Sequence, residues 1–297
     1  MRSAGFFPIR FTKRVHEVSR FRIVGAVLLG FIPGSAEARD LRFSLVNRET
    51  IEARLREYGG SNSERLARLK RMFAGAGCGE HLSEQPVKSS KVPNLICVLP
   101  GTSDRVLIVG AHFDRVSTSA GVADNWRGAS LLPSLYEALK VEPRQHTYEK
   151  GLVGSHSYVR NMTKEQIATT DAMINLDTLG LAPTEVWIYR ANKKLAGALN
   201  LVATGLRLPL HPVDFQEVGS TDSESFRIRK IPSITIHSLT QKSEDQQILH
   251  SSRDNLSAMN LDYYYDTYHL VAVYLVYLDH FLDEPEPATD ANIRPGS

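Results

Sequence analysis

The feature that most constrains this chain is a pair of apolar runs, Asn94-Leu95-Ile96-Cys97-Val98-Leu99 and Arg105-Val106-Leu107-Ile108-Val109-Gly110, the first closed by Pro100-Gly101. A near-continuous apolar strand has no face to give to water, so it must be covered on both sides. From Ala129 to Leu139 apolar residues recur at helical spacing, and further strands are predicted at Ala172–Leu176, Glu185–Tyr189 and Ser233–His237. Strands alternating with helices imply a mostly parallel sheet. Before them, Ile51, Leu55, Leu66, Leu69 and Met72 predict a helical hairpin over Arg48–Ala76, broken at Gly59-Gly60. After them, Tyr263–Phe281 predicts a long helix packed on the sheet; Asp262, Asp266, His269, Asp279 and His280 along it argue against a membrane span. There is no internal repeat, no interior linker and no biased tract beyond the polar tail Glu284–Ser297. The predicted fold is one α/β domain, a three-layer α/β/α arrangement with a central mixed, mostly parallel sheet.

The charge balance narrows the partners. Lys+Arg number 35 against Asp+Glu 33, a formal net charge of +2 over 297 residues. This leaves no electrostatic footprint for nucleic acid or for an anionic membrane surface. A small or peptidic partner is expected.

The first residues read as a leader. Arg2, Arg10, Lys13, Arg14, Arg20 and Arg22 precede an apolar run, Ile23 to Ile32, too short to cross a bilayer. Pro33-Gly34-Ser35 and the small-x-small site Ala36-Glu37-Ala38 follow. The pattern predicts a signal peptide over residues 1–38, a mature domain over 39–297 with no membrane association, and a secreted or periplasmic location. The alternative is an N-terminal amphipathic or buried helix. An oxidising compartment would permit a disulfide between the two cysteines, Cys78 and Cys97; two buried free thiols are the other reading. Neither cysteine has metal-ligand spacing, which argues against a thiolate zinc site.

The chemistry gathers where strands end. His112 and Asp114 stand two apart at the carboxyl end of a buried strand, the position where open α/β sheets hold their ligands. Side chains two apart on a strand point the same way, so Asp114 can orient His112 as a metal ligand. Alone, the pair is more often a satisfied core histidine. Asp124-Asn125 stands directly before a helix, where Asp124 is either a helix cap or a carboxylate bridging two metal ions. Asp177 ends the run Met173-Ile174-Asn175-Leu176, and His250 precedes the polar stretch Ser251-Ser252-Arg253-Asp254. Each has a bland reading as a turn or loop residue, but together they form a nitrogen and oxygen donor set with no thiolate.

Taken in order, GAHFD (110–114), GVADNWRGAS (121–130), EKGLVGSHSYV (149–159), MINLDTLG (173–180) and LHSSRDNL (249–256) resemble the zinc-dependent aminopeptidase family that includes secreted bacterial leucyl aminopeptidases, plasma glutamate carboxypeptidase and glutaminyl cyclases. The resemblance runs from about Leu95 to the final helix. It implies two zinc ions: His112 and Asp177 on one, Glu149 and His250 on the other, Asp124 bridging them, and Asp114 orienting His112. The implied reaction is hydrolysis of a peptide bond near a free terminus by metal-activated water, aminopeptidase action first, on a peptide or amino-acid-derived substrate. The alternatives are glutaminyl cyclisation on a single zinc and a non-catalytic binding protein that keeps the fold.

The departures from the family are as informative. Members carry two consecutive glutamates after a hydrophobic strand, the first as general base and the second as ligand. Here Tyr148 stands at the first position and only Glu149 remains. The preceding Gln145-His146-Thr147 is short and polar, which predicts a gap in the sheet, a displaced Glu149 and impaired activity, because general acid–base assistance is worth about 10²–10⁴ in rate. Ser223 stands where relatives often have a His, and Glu224 is the one nearby carboxylate put forward as a substitute base.

Overall fold

The computed structural model describes residues 10–13, 22–28, 40–88, 90–151, 154–213, 221–240, 242–243 and 246–282. The leader expectation falls mostly outside these residues, and the Ala36-Glu37-Ala38 site lies wholly outside them. Within it, the backbones of β1 (Arg10–Lys13) and β2 (Arg22–Leu28) form an antiparallel sheet with β3 (Asp40–Val46). Phe43 and Leu45 of β3 are buried in the main core.

The hairpin forms as its caps dictate. Asn47 caps α1 (Arg48–Arg56) by accepting from the Thr50 N–H at 2.8 Å. A Ser61/Glu64 capping box starts α2 (Asn62–Ala76), and Gly77, at φ 90°, ends it. Just beyond, Cys78 is disulfide-bonded to Cys97, with Cα atoms 6.2 Å apart, which pins the end of α2 to the sheet.

That sheet has eight strands in the order β10-β9-β11-β8-β6-β7-β5-β4. They are β4 (Leu82–Gln85), β5 (Asn94–Leu99), β6 (Val106–Gly110), β7 (Thr147–Lys150), β8 (Thr170–Leu176), β9 (Thr184–Trp187), β10 (Leu210–Val213) and β11 (Ser233–His237). The centre, β7-β6-β8-β11, is parallel; β5 and β4 run antiparallel on one side and β9 is antiparallel to β11 on the other. On one face pack α1, α2, α3 (Arg127–Leu139), α6 (Lys193–Leu206) and α8 (Leu261–Phe281), around the larger core. On the other, α4 (Ser155–Asn161), α5 (Lys164–Thr169) and α7 (Asp222–Ile228) enclose a smaller core of Ile108, Tyr158, Met162, Met173 and Phe226. The fold is the expected three-layer α/β/α arrangement.

The expected gap in the sheet is absent. Four residues suffice to form β7, which lies between β6 and β5. Its polar lead-in is accommodated by partners distant in the chain. The Asp279 carboxylate of α8 accepts from the backbone N–H groups of Gln145 (3.1 Å) and His146 (2.9 Å). The His146 ring lies between Asp279 (3.3 Å) and Asp171 (3.1 Å), both buried with it. Burial alone would raise the Asp279 carboxyl; the bonds from His146 and Gln145 hold it below its ordinary value. Farther along, Tyr148 donates its hydroxyl to the Leu275 carbonyl at 2.8 Å, and Lys150 is enclosed by the Tyr136 and Tyr148 rings, 5.3 and 4.9 Å from its Nζ.

Candidate metal centre

Three connections at the carboxyl edge of the sheet converge. His112 stands two residues beyond β6, and Asp177 directly follows β8. Asp124 lies in the tight turn Val122–Trp126 that feeds α3, and His250 lies in the loop before α8. The candidate ligand atoms of His112, Asp124 and Asp177 all lie within 4.8 Å of one another. One Asp124 oxygen is 3.0 Å from His112 Nε2 and the other is 2.8 Å from His250 Nε2, so a single carboxylate stands between two imidazoles. Asp114 Oδ1 is 3.2 Å from His112 Nδ1, which turns Nε2 toward Asp124.

Two residues hold this geometry. Asp254 accepts from the backbone N–H of Ala123 and Asp124 and from the Ser119 hydroxyl, locking the turn that carries Asp124. The Asn125 amide donates to the Leu176 carbonyl at 2.8 Å, and its oxygen accepts from Gly128 N and Thr178 N, tying that turn to the loop of Asp177. The approach is close: a Cβ on Gly128 would stand 2.5 Å from the Leu176 carbonyl oxygen, which accounts for glycine there. Thr178 (φ 48°) and His250 (φ 57°) adopt the left-handed region that non-glycine residues seldom enter, and both adjoin the cluster.

The electrostatics favour a cation. Burial pushes the Asp177 carboxyl up to about 6, His112 opposing this and Asp124 adding to it. Burial would also raise Asp124 and lower His112, but their mutual hydrogen bond, with help from Asp114, draws Asp124 down and His112 up. Arg115 also lines the cavity, but it gives its N–H groups to the carbonyls of Gly60, Val116 and Ser119. Imidazole and carboxylate donors at this spacing, without thiolate, fit zinc.

Glu149 is not brought to this cluster. In β7 it pairs with Ile108, four residues before His112, and it does not line the cavity that His112 lines. Its carboxylate accepts from the Tyr158 hydroxyl of α4, and burial raises its pKa. Tyr148 faces α8 and not the cavity, and Glu224 is held by Arg227 at 2.6 and 2.8 Å, outside the cavity lining. Asp222, at the start of α7, carries a signal that the sequence reading passed over. Ser155 beside it lowers its carboxyl, its charge acts on His112, Asp124 and Asp177, and its buried Oδ2 has no hydrogen-bond partner among the described residues. Burial raises its carboxyl above its ordinary value.

The cluster opens into a cavity of about 440 Å³ whose other wall carries Trp187, Thr235, His237 and Leu239. A carboxylate-bridged histidine pair at the mouth of such a cavity is the equipment of a metallohydrolase. Residues 94–275 match the model of Peptidase family M28, and the chain belongs to that family. It is 28% identical over 152 residues to Leupeptin-inactivating enzyme 1 of Streptomyces exfoliatus, covering 47% of this chain and 34% of that protein. It is 34% identical over 97 residues to an aminopeptidase of Pseudomonas aeruginosa, covering 30% of this chain and 18% of that protein. These matches span about a third or less of the relatives' length. Among solved structures, the LapA aminopeptidase of Legionella pneumophila superposes with a TM-score of 0.67 at 18% identity, over 78% of this chain and 70% of that one. The glutaminyl cyclase of Porphyromonas gingivalis gives 0.60 at 16%, over 77% of this chain and 96% of that one. At such identities they show a shared fold. Among the described residues, no helix is long and apolar enough to cross a membrane.

Proposed function

We propose that this chain is an exported zinc-dependent aminopeptidase that hydrolyses the peptide bond next to a free N-terminus. The observation that carries the proposal is the Asp124 carboxylate set between His112 and His250 with Asp177 beside it. His112, Asp124 and Asp177 would hold one zinc; Asp124 and His250 would offer a second, weaker position, with no third ligand among the described residues while Glu149 stays with Tyr158. When bound, zinc supplies a Lewis acid and lowers the pKa of a coordinated water to about 7. Asp114 keeps the His112 ring in the tautomer whose Nε2 faces the cluster. With Tyr148 and Glu224 turned elsewhere, Asp222, which follows Thr221 of the cavity wall and whose charge acts on His112, Asp124 and Asp177, is the proposed proton acceptor.

The test uses the zinc-loaded protein and a peptide with a free or an acetylated N-terminus. Release of the first residue from the free peptide alone supports the proposal; cleavage of both, or of neither, contradicts it. A second reading, glutaminyl cyclisation, is favoured by one observation: the match spans 96% of the cyclase chain. It would show as ammonia release and a pyroglutamyl end on a glutaminyl peptide.

A further inference from the structure

Strands β9 and β11 run antiparallel with His237 opposite Glu185, and Trp187 follows Glu185 on the same face. The three side chains form one patch behind the cavity, and Trp187 and His237 line it. Their rings are 5.2 Å apart, tilted by 56°. All three residues are more than nine-tenths buried, at 7%, 8% and 2% exposure for Glu185, Trp187 and His237.

Each has a polar atom with no hydrogen-bond partner among the described residues: Trp187 Nε1, His237 Nε2 and Glu185 Oε2, the last 3.8 Å from His237 Nδ1. Native structures leave few such atoms, because each has given up water without replacing it. The hydrogen on His237 can be located. The Leu239 N–H donates to His237 Nδ1 at 3.0 Å, and burial pushes the imidazole down to about 3, so the ring is neutral and Nε2 carries the proton. Burial pushes the Glu185 carboxyl up to about 7, so above that pH the patch offers two N–H donors and one carboxylate oxygen, and its complement is a group that accepts through one oxygen and donates through one nitrogen. A primary carboxamide does both. An aliphatic side chain would leave all three atoms unmatched, and a ligand carboxylate would face Glu185.

We infer that Glu185, Trp187 and His237 form a side-chain subsite for a carboxamide, so that the preferred N-terminal residue is glutamine or asparagine. This rests on the aminopeptidase reading. His237 follows Ile236, whose carbonyl accepts from the Asp177 N–H at 3.0 Å, so the patch borders the metal cluster within one cavity.

The experiment compares the zinc-loaded protein on X-Ala-Ala peptides with X as glutamine, asparagine, methionine or glutamate, following release of X, alongside calorimetric binding of free L-glutamine and L-methionine. A site built to hydrogen-bond a polar group rejects analogues lacking it far more strongly than a methylene difference would, so kcat/KM for the better amide should exceed that for methionine by at least about 10²-fold. The glutamine and asparagine arms show which length fits. Trp187→Phe keeps a ring and removes the N–H, and Glu185→Met removes the acceptor; each should cut the amide-to-methionine ratio at least tenfold, which a merely structural role would not do. Equal rates on amide and methionine peptides, a preference for glutamate, or a ratio unmoved by both variants would overturn the inference. If no peptide is cleaved, the aminopeptidase reading fails and binding decides the subsite. Glutamine bound more tightly than methionine, a difference lost in Trp187→Phe, upholds it, and equal binding overturns it.

Discussion

Asp222 and Lys150 show how much a single buried group can decide. If Asp222 accepts the proton, Asp222→Asn should lower kcat by about 10²–10⁴ while zinc content stays at the wild-type level; an unchanged kcat would remove Asp222 from the reaction. Lys150 is fully buried, and desolvation, with a smaller push from Arg144, lowers its amine to about 7 from an ordinary 10.5. Between pH 7 and 10.5 the unfolded chain therefore binds a proton that the folded chain does not, so stability rises with pH by roughly 1.4 kcal/mol per unit and flattens below pH 7. Lys150→Met should abolish that slope in urea unfolding across the window; a variant with the wild-type slope would refute the assignment.

Among the elements, β5, β6, β8, β11 and α3 were legible because their burial is written in their own residues, as apolar runs or helical spacing. β7 was not. Its stability depends on groups far away in the chain: Asp279 for the backbone of Gln145 and His146, Asp171 for the His146 ring, and Leu275 for the Tyr148 hydroxyl. A polar segment of this kind reads as a loop until those partners are known. Asp279→Ala would leave buried donors unmatched and should cost about 3–5 kcal/mol in chemical denaturation. A loss below about 1 kcal/mol would mean that the strand is held in some other way.

For the molecule as a whole, the convergence of His112, Asp124, Asp177 and His250 was legible because His112 and Asp177 follow strands and all four lie in the ordered motifs that carry the family resemblance. The roles of Asp254, Asn125 and Asp222 were not, since they lie in hydrogen bonds and charge contacts between loops. The displacement of Glu149 was legible in the short polar lead-in to β7, whereas its partner, the Tyr158 hydroxyl of α4, was not. Together these features support the proposed metal centre, with a three-ligand position and a weaker second one. The most direct test is a calorimetric zinc titration of the metal-free protein beside Asp124→Ala. The account predicts one tight zinc and a weaker second in the wild type, and neither in the variant; an Asp124→Ala protein that binds zinc as the wild type does would contradict it.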